Sequence, residues 1–217
     1  MPDDPSTPPA QPAGALPERR MDARSLRGLA HPLRMRILDL LTLDGPDTAT
    51  GVARQLGENT GTVSWHLRHL ADHGFIEEDT GRGTKRERWW RAARVSHRLD
   101  TTDFRDDPAT RGALSVYLHE FVQRDFHQVT TYLTEDWEPE WHNAGTLSRW
   151  QDLRMTAEQL RALNAELAEV VARHRAAALD ANRNPSAVDG DPVRPVLVQL
   201  QSFPRKESGD ADGGGDR

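Results

Sequence analysis

Apolar positions recur at helical spacing through much of the chain, and in a few short stretches the pattern changes to that of strands. Val63, Leu67 and Leu70 stand at i, i+4 and i+7 and predict a helix over 60–73. Asn59 precedes it as an N-cap, whose side chain accepts from the first-turn amides. Gly74 follows it, where a left-handed cap wants no Cβ. The face opposite the stripe carries Gly61, Thr62, Ser64, Trp65, Arg68 and His69. That face is small at its start and rich in donors, which suits a helix that buries one side and reads a groove with the other. Upstream, 49–57 (ATGVARQLG) predicts a short helix with Val52, Ala53 and Leu56 inward. Gly57, Glu58 and Asn59 form the tight turn of a helix-turn-helix. Downstream, FIEED and RERWW flank the Gly-rich basic loop TGRGTK and predict a hairpin. A helix-turn-helix followed by such a hairpin is a winged helix, with recognition helix 60–73 and wing 80–86.

Either side of this unit the pattern is plainer. Arg24–Leu29 begins a first helix, and Pro32, at a first helical position, opens a second. Met35, Ile37, Leu38, Leu40 and Leu41 are its core residues. Thr48-Ala49 is expected to add a short strand edge beside the wing. Of Trp89 and Trp90, adjacent on a strand, one should face the core. Residues 95–108 read as a polar connection and a domain boundary. A long helix is expected over 110–137, carrying Leu114, Tyr117, Leu118, Phe121, Val122, Val129, Tyr132 and Leu133. Another starts at Thr156, with Gln159 as capping-box partner and Leu160, Leu163, Leu167, Val170 and Val171 as its apolar face. Residues 180–191 read as a linker, and 196–203 (VLVQLQSF), between prolines, as a strand in need of a partner. The expected fold is mainly α with a small β wing. Its parts are a disordered tail over 1–20, a winged helix-turn-helix domain over 21–98, a helical region over 99–204 for dimerisation and effector binding, and a disordered tail over 205–217.

The resemblance carried by these residues is specific. Leu29-Ala30-His31-Pro32-Leu33-Arg34 leads into Ile37-Leu38, then Val63-Ser64, His66-Leu67-Arg68 with Leu70, and Gly74-Phe75-Ile76. The stretch from about residue 22 to 98 resembles the ArsR-type winged-helix transcriptional regulators of bacteria, and among them the larger, actinobacterial-type members with an added helical region. The resemblance implies a sequence-specific DNA-binding regulator, usually a homodimer, in which a helix after the wing packs on the partner. The chain departs from the metal-sensing branch, which commonly places cysteines near the recognition helix, because it has none.

Composition changes this picture mainly through where the charge lies. The 217 residues carry a net charge of −6, which taken whole argues against nucleic acid. From Arg19 to Arg98, however, 15 Arg or Lys face 10 Asp or Glu, a net of +5, which leaves −11 for the remainder. A basic winged helix on an acidic body is an electrostatic footprint for DNA. The absence of cysteine excludes disulfides, zinc fingers and thiol switches. No apolar run approaches the ~20 residues of a membrane span. The Pro-rich, acidic start lacks a signal peptide's basic end and apolar core. A cytoplasmic protein is expected.

The candidate DNA-contacting residues are Thr60, Thr62, Ser64, Trp65, Arg68 and His69 on the recognition helix, and Arg82, Lys85 and Arg86 on the wing. Arg68 suits bidentate contact with guanine, and Trp65 a thymine methyl or a sugar. Arg82 and Lys85 suit phosphate or minor-groove contact, while Arg19 and Arg20 are the basic residues an N-terminal arm has to offer. Two other readings compete: a winged helix used for protein contacts, and a metal-responsive regulator. For the second, His66, His69 and His73 share one stripe, and Asp125, His127, Glu140 and His142 lie scattered elsewhere. The aromatic segment from Trp137 to Trp150 either lines a small-molecule effector pocket or packs the helices. No phosphate loop, nucleophile elbow, HExxH or dinucleotide fingerprint is present, so no enzyme, cofactor or bound metal is expected. The expected partners are duplex DNA and a second copy of the chain.

Overall fold

The computed structural model describes residues 16–83, 87–183 and 193–206. Its elements in chain order are β1 (Glu18–Arg20), α1 (Ala23–Leu29), α2 (Pro32–Leu43), β2 (Asp47–Thr48), α3 (Ala49–Leu56), α4 (Thr60–Asp72), β3 (Ile76–Glu78), β4 (Trp89–Ala92) and β5 (Ser96–Arg98). A 3-10 turn (Thr101–Asp103), α5 (Pro108–Thr134), α6 (Pro139–Ala144) and α7 (Ala157–Arg183) follow. The chain is mainly helical with a small β wing, as expected. It divides into two compact units: the first runs Leu16–Pro139, and the second holds the described residues from Glu140 onward.

In that first unit each helix begins where a side chain replaces a missing backbone partner. Asp22 accepts from the Ser25 amide at 2.7 Å, Thr48 from Gly51 at 3.1 Å, Asn59 from Gly61 at 2.8 Å and Asp107 from Ala109 at 2.9 Å. The caps orient amphipathic helices whose inner faces meet. Leu26, Ile37, Val52, Val63, Leu67, Leu70 and Phe75 are buried together. Gly57 and Gly74 close α3 and the recognition helix at φ +69° and +74°, a region that only glycine enters without strain.

The sheet has the order β2-β4-β3, with Asp47 and Thr48 opposite Trp90 and Trp89, and Ile76 opposite Ala92. The strand edge expected at Thr48-Ala49 therefore lies at Asp47–Thr48, against the return strand of the wing. Trp90 is the core tryptophan and Trp89 is half-buried.

Three expectations are corrected. The tail read over 1–20 ends earlier: Glu18–Arg20 forms a strand parallel to β5, pairing Glu18 with Ser96 and Arg20 with Arg98. These bonds run through the main chain, so a polar, Arg-rich sequence joins a sheet without any apolar signal. Residues 1–15 lie outside the described part. The boundary placed at residue 98 also moves. Phe104, inside the polar connection, is buried, and the Thr110 hydroxyl donates to its carbonyl at 2.9 Å. Leu114 is buried too, and Ala113, Tyr117 and Phe121 pack on the same core. The first half of α5 thus belongs to the winged-helix unit, because one aromatic in a polar segment anchors it. Third, 196–203 takes no strand conformation among the described residues, and Val196, Val198, Leu200 and Phe203 stay exposed. Alternation supplies a strand's faces but not the neighbour that completes its ladder.

In the second unit the capping box at Thr156 forms as read: its amide donates to Gln159 Oε1 at 2.8 Å, and the Gln159 amide donates to its hydroxyl at 3.1 Å. The helix that follows continues to Arg183, into the stretch read as linker, and 184–192 lie outside the described residues. The tail expected over 205–217 is described only to Lys206.

Candidate nucleic-acid interface

Helix α4, the recognition helix expected from the sequence, is a wedge with two unlike faces. Val63, Leu67 and Leu70 are wholly buried, and the helix packs on α1, α2, α3 and β3. Thr60, Gly61, Thr62, Trp65 and Arg68 are exposed, while Ser64 and His69 are half-buried. Trp65, at 55% exposure, is the largest apolar group this face offers. It is held in place from its own helix: the ring stacks on His69 at 5.4 Å and meets His66 edge-on at 4.8 Å. Arg68 leans back along the helix and donates from Nε to the Ser64 carbonyl at 3.1 Å. Gly61 meets only its own cap oxygen within 4 Å of where a Cβ would sit, so the start of the helix is bare.

His69, expected on the open face, only partly reaches it. Its Nε2 is buried without a hydrogen-bond partner among the described residues. His66 is buried, next to Val63 and Leu67 in the packed face. Sequence reasoning did not place it there, because the apolar stripe is defined by Val63, Leu67 and Leu70 and a histidine fits either side of it. Arg34 was also missed as a structural residue. It is only 8% exposed and donates to the carbonyls of Arg27 at 3.2 Å and Ala30 at 3.4 Å, closing the C-terminal end of α1. Its signal was its place in the Leu29–Arg34 motif. Among the described residues no group of three or more His, Asp or Glu is arranged to hold a metal ion.

The wing carries more acid than its loop suggested. Arg82 lies 3.3 Å from Asp79 and stands over the Trp89 ring at 5.9 Å. Arg88 pairs with Glu78 at 3.4 Å and Arg91 with Glu77 at 2.9 Å. The arginines of these pairs are exposed, so each is held weakly. Lys85 and Arg86 lie outside the described residues. Arg20, offered by the sequence for an N-terminal arm, is instead engaged by Asp103, with Nε 3.0 Å from Oδ2.

Trp137 donates to the Tyr132 carbonyl at 3.2 Å, back onto the end of α5. Trp150 is 73% exposed. No helix of the described residues is long and apolar enough to cross a membrane.

Among solved structures, the chain is similar to a homodimeric winged helix-turn-helix DNA-binding domain (fragment 1–100) from Mycobacterium bovis, described as a possible ArsR-family transcriptional regulator. The two share 32% identity over 33% of this chain and 62% of that one, with a TM-score of 0.29. This chain therefore spans less than two thirds of that structure. A disulfide-formed AbfR is similar at 17% identity over 48% of this chain and 71% of that one, with a TM-score of 0.25. Comparison with curated proteins found no match. Residues 29–79, from the end of α1 to the start of the wing and so including α3 and α4, match the family described as a helix-turn-helix domain.

Proposed function

We propose that the protein is a sequence-specific DNA-binding transcriptional regulator of the ArsR type. It acts as a homodimer on a roughly palindromic operator, through helix 60–73 in the major groove and wing 80–86 beside it. The observation that carries this reading is the two-faced recognition helix: a fully buried stripe of Val63, Leu67 and Leu70 presents a bare N-terminus, Thr60, Thr62, Ser64, Trp65 and Arg68 on the far side. The major groove admits such a helix, and a guanidinium can read guanine there bidentately. His69 contributes by holding Trp65, and Arg82, Lys85 and Arg86 contribute charge toward the phosphates. The dimer is supported by α5, on which Val122, Phe126 and Leu133 are 59%, 69% and 63% exposed at spacings of four and seven. A second α5 covers such a stripe, and the twofold axis then sets two recognition helices about one helical turn of DNA apart.

Selection of bound fragments from random duplex DNA with the full-length protein tests the reading. An enriched, roughly palindromic motif is the expected result, and no enrichment at low ionic strength overturns it. On the selected duplex, Arg68→Ala should lose about 1–3 kcal/mol and relax preference at one position. Arg82→Ala should weaken binding to all duplexes alike and make the salt dependence shallower by about one phosphate. A winged helix serving protein contacts instead shows neither effect.

A further inference from the structure

Four histidines gather beneath the exposed tryptophan of the recognition helix, and their rings form a run. His31, at the start of α2, lies 4.7 Å from His66. His66 meets Trp65 at 4.8 Å, Trp65 stacks on His69 at 5.4 Å, and His69 meets His73 at 4.4 Å. The run is tightly enclosed at its far end, since a Cβ on Gly28 of α1 would lie 2.3 Å from His73 Cδ2. His73 Nδ1 is 2.8 Å from the His69 carbonyl and donates to it. His66 Nδ1 and His69 Nε2 are buried without hydrogen-bond partners among the described residues. The charged groups acting on the run come from every side. The buried Arg34 of α2 acts on His31, His66 and His69, Glu58 of the turn on His66, Asp72 of α4 on His69, and Glu120 of α5 on His31.

One bond in this run depends on protonation state. The Leu33 amide donates to His31 Nδ1 at 3.1 Å, which makes His31 the N-cap of α2. Pro32 has no N–H, so Leu33 carries the first amide of that helix and His31 is its acceptor. An imidazole accepts through Nδ1 only while that nitrogen is unprotonated. An imidazolium has no acceptor, and it puts a positive charge at the positive end of the helix dipole. Asp or Asn in the same place accepts through oxygen and has no such dependence near neutral pH.

We propose that His31 is a proton-sensitive clamp on the recognition helix. When it takes a proton, the α2 cap breaks, the ring is driven from His66 and Arg34, the support under Trp65 loosens, and operator affinity falls as the medium turns mildly acidic. The operator half of this statement rests on the DNA-binding reading above; the clamp itself does not. Titration runs in the same direction. Burial and then Arg34 lower the pKa of His31 against the pull of Glu120. Burial, His31 and Arg34 lower that of His66, and burial and Arg34 that of His69. These are bases held below their unfolded value, so the unfolded chain takes up protons first. Their contribution to stability is complete above the ordinary histidine pKa of about 6.5 and is lost as pH falls from there toward the folded values. The added charge also attracts phosphates without regard to sequence. Acid is therefore expected to lower selectivity more than total binding.

The test compares full-length wild type with His31→Asn, which keeps an oxygen acceptor that does not titrate. Between about pH 7.5 and about pH 5.5 the folding equilibrium constant, from denaturant unfolding, should fall more in wild type than in His31→Asn, by up to about tenfold. In amide NMR spectra of wild type, the Leu33 resonance should titrate with the midpoint of the His31 ring. Equal pH dependence of stability in the two proteins, or a Leu33 amide that ignores the ring, overturns the clamp. On the duplex recovered by selection, wild type should lose about tenfold in affinity over the same interval and His31→Asn markedly less. If both lose equally, the operator half fails. If no duplex binds at any pH while the stability difference persists, the DNA-binding reading fails and the clamp stands.

Discussion

Helices α4 and α7 carry similar apolar stripes and have different surroundings. Val63, Leu67 and Leu70 on α4 are completely buried. Leu160, Leu163, Leu167 and Val171 on α7 are only half-buried, and among the described side chains of that helix only Ala172 is buried. Both helices begin with a side-chain cap, Asn59 in one and Thr156 in the other. Periodicity and capping thus settle that each is a helix and which face is apolar. They do not settle how much that face is worth, because the hydrophobic effect scales with the area removed from water. α4 meets four other elements. That is why its polar face is free for another task while its position stays rigid.

The comparison breaks most visibly under truncation. Leu67→Ala should destabilise the protein by about 2–5 kcal/mol, the cost of a cavity in a close-packed core. Leu163→Ala should cost under about 1 kcal/mol, since water already reaches that side chain. Denaturant unfolding of both variants checks this, and equal losses would mean that α7 is buried in solution by a partner such as a second copy.

A second contrast concerns buried charge. The first unit holds Asp39 of α2 against Arg124 of α5, with Arg124 Nη1 donating at 2.9 Å, and burial lifts the Asp39 carboxyl to about 6 in spite of that arginine. For an acid raised in the fold, the native state holds the proton more tightly than the unfolded chain. Stability then declines as pH rises from about 4 to about 6, by about 3 kcal/mol. Asp39→Asn should lack this decline, and unfolding curves at several pH values will show it. The slope is opposite to that of the histidine run, so Asp39→Asn leaves the histidine effect alone and sharpens its measurement.

The smallest effect separates the caps. Asn59→Ala should cost about 1 kcal/mol, because it releases the first turn of a helix that the whole core depends on. Thr156→Ala should fray α7 locally and shift the unfolding midpoint less. Hydrogen exchange at the amides of Gly61 and Gln159 reads the two losses separately, and equally protected amides in both variants would show that the caps do not carry the helix starts.

Much of this was legible residue by residue. Asn59, Gly57 and Gly74 mark the bounds of the recognition helix, and Thr156 with Gln159 marks α7, since caps and turns are local chemistry. Of the candidate contacts, Thr60, Thr62, Trp65 and Arg68 lie open, as their position opposite Val63, Leu67 and Leu70 requires. The misses share a different character. Glu18–Arg20 joins a strand 78 residues away through main-chain bonds that carry no side-chain signal. Phe104 looked like one aromatic in a polar linker and proves to be an anchor for α5. Arg82 faces Asp79, and Arg20 faces Asp103, pairings that a count of basic residues does not show.

What the chain's order of residues determined alone is local: the capped starts of α4 and α7, the hairpin, and the two faces of α4. These follow from interactions within a few residues, whose geometry is the same wherever the segment lies. What only the tertiary structure decided is what each face meets: His31 against His66, Asp39 against Arg124, and α5 as part of the winged-helix core. Such contacts join residues distant in sequence, and burial, the force that makes them count, exists only once the elements are packed.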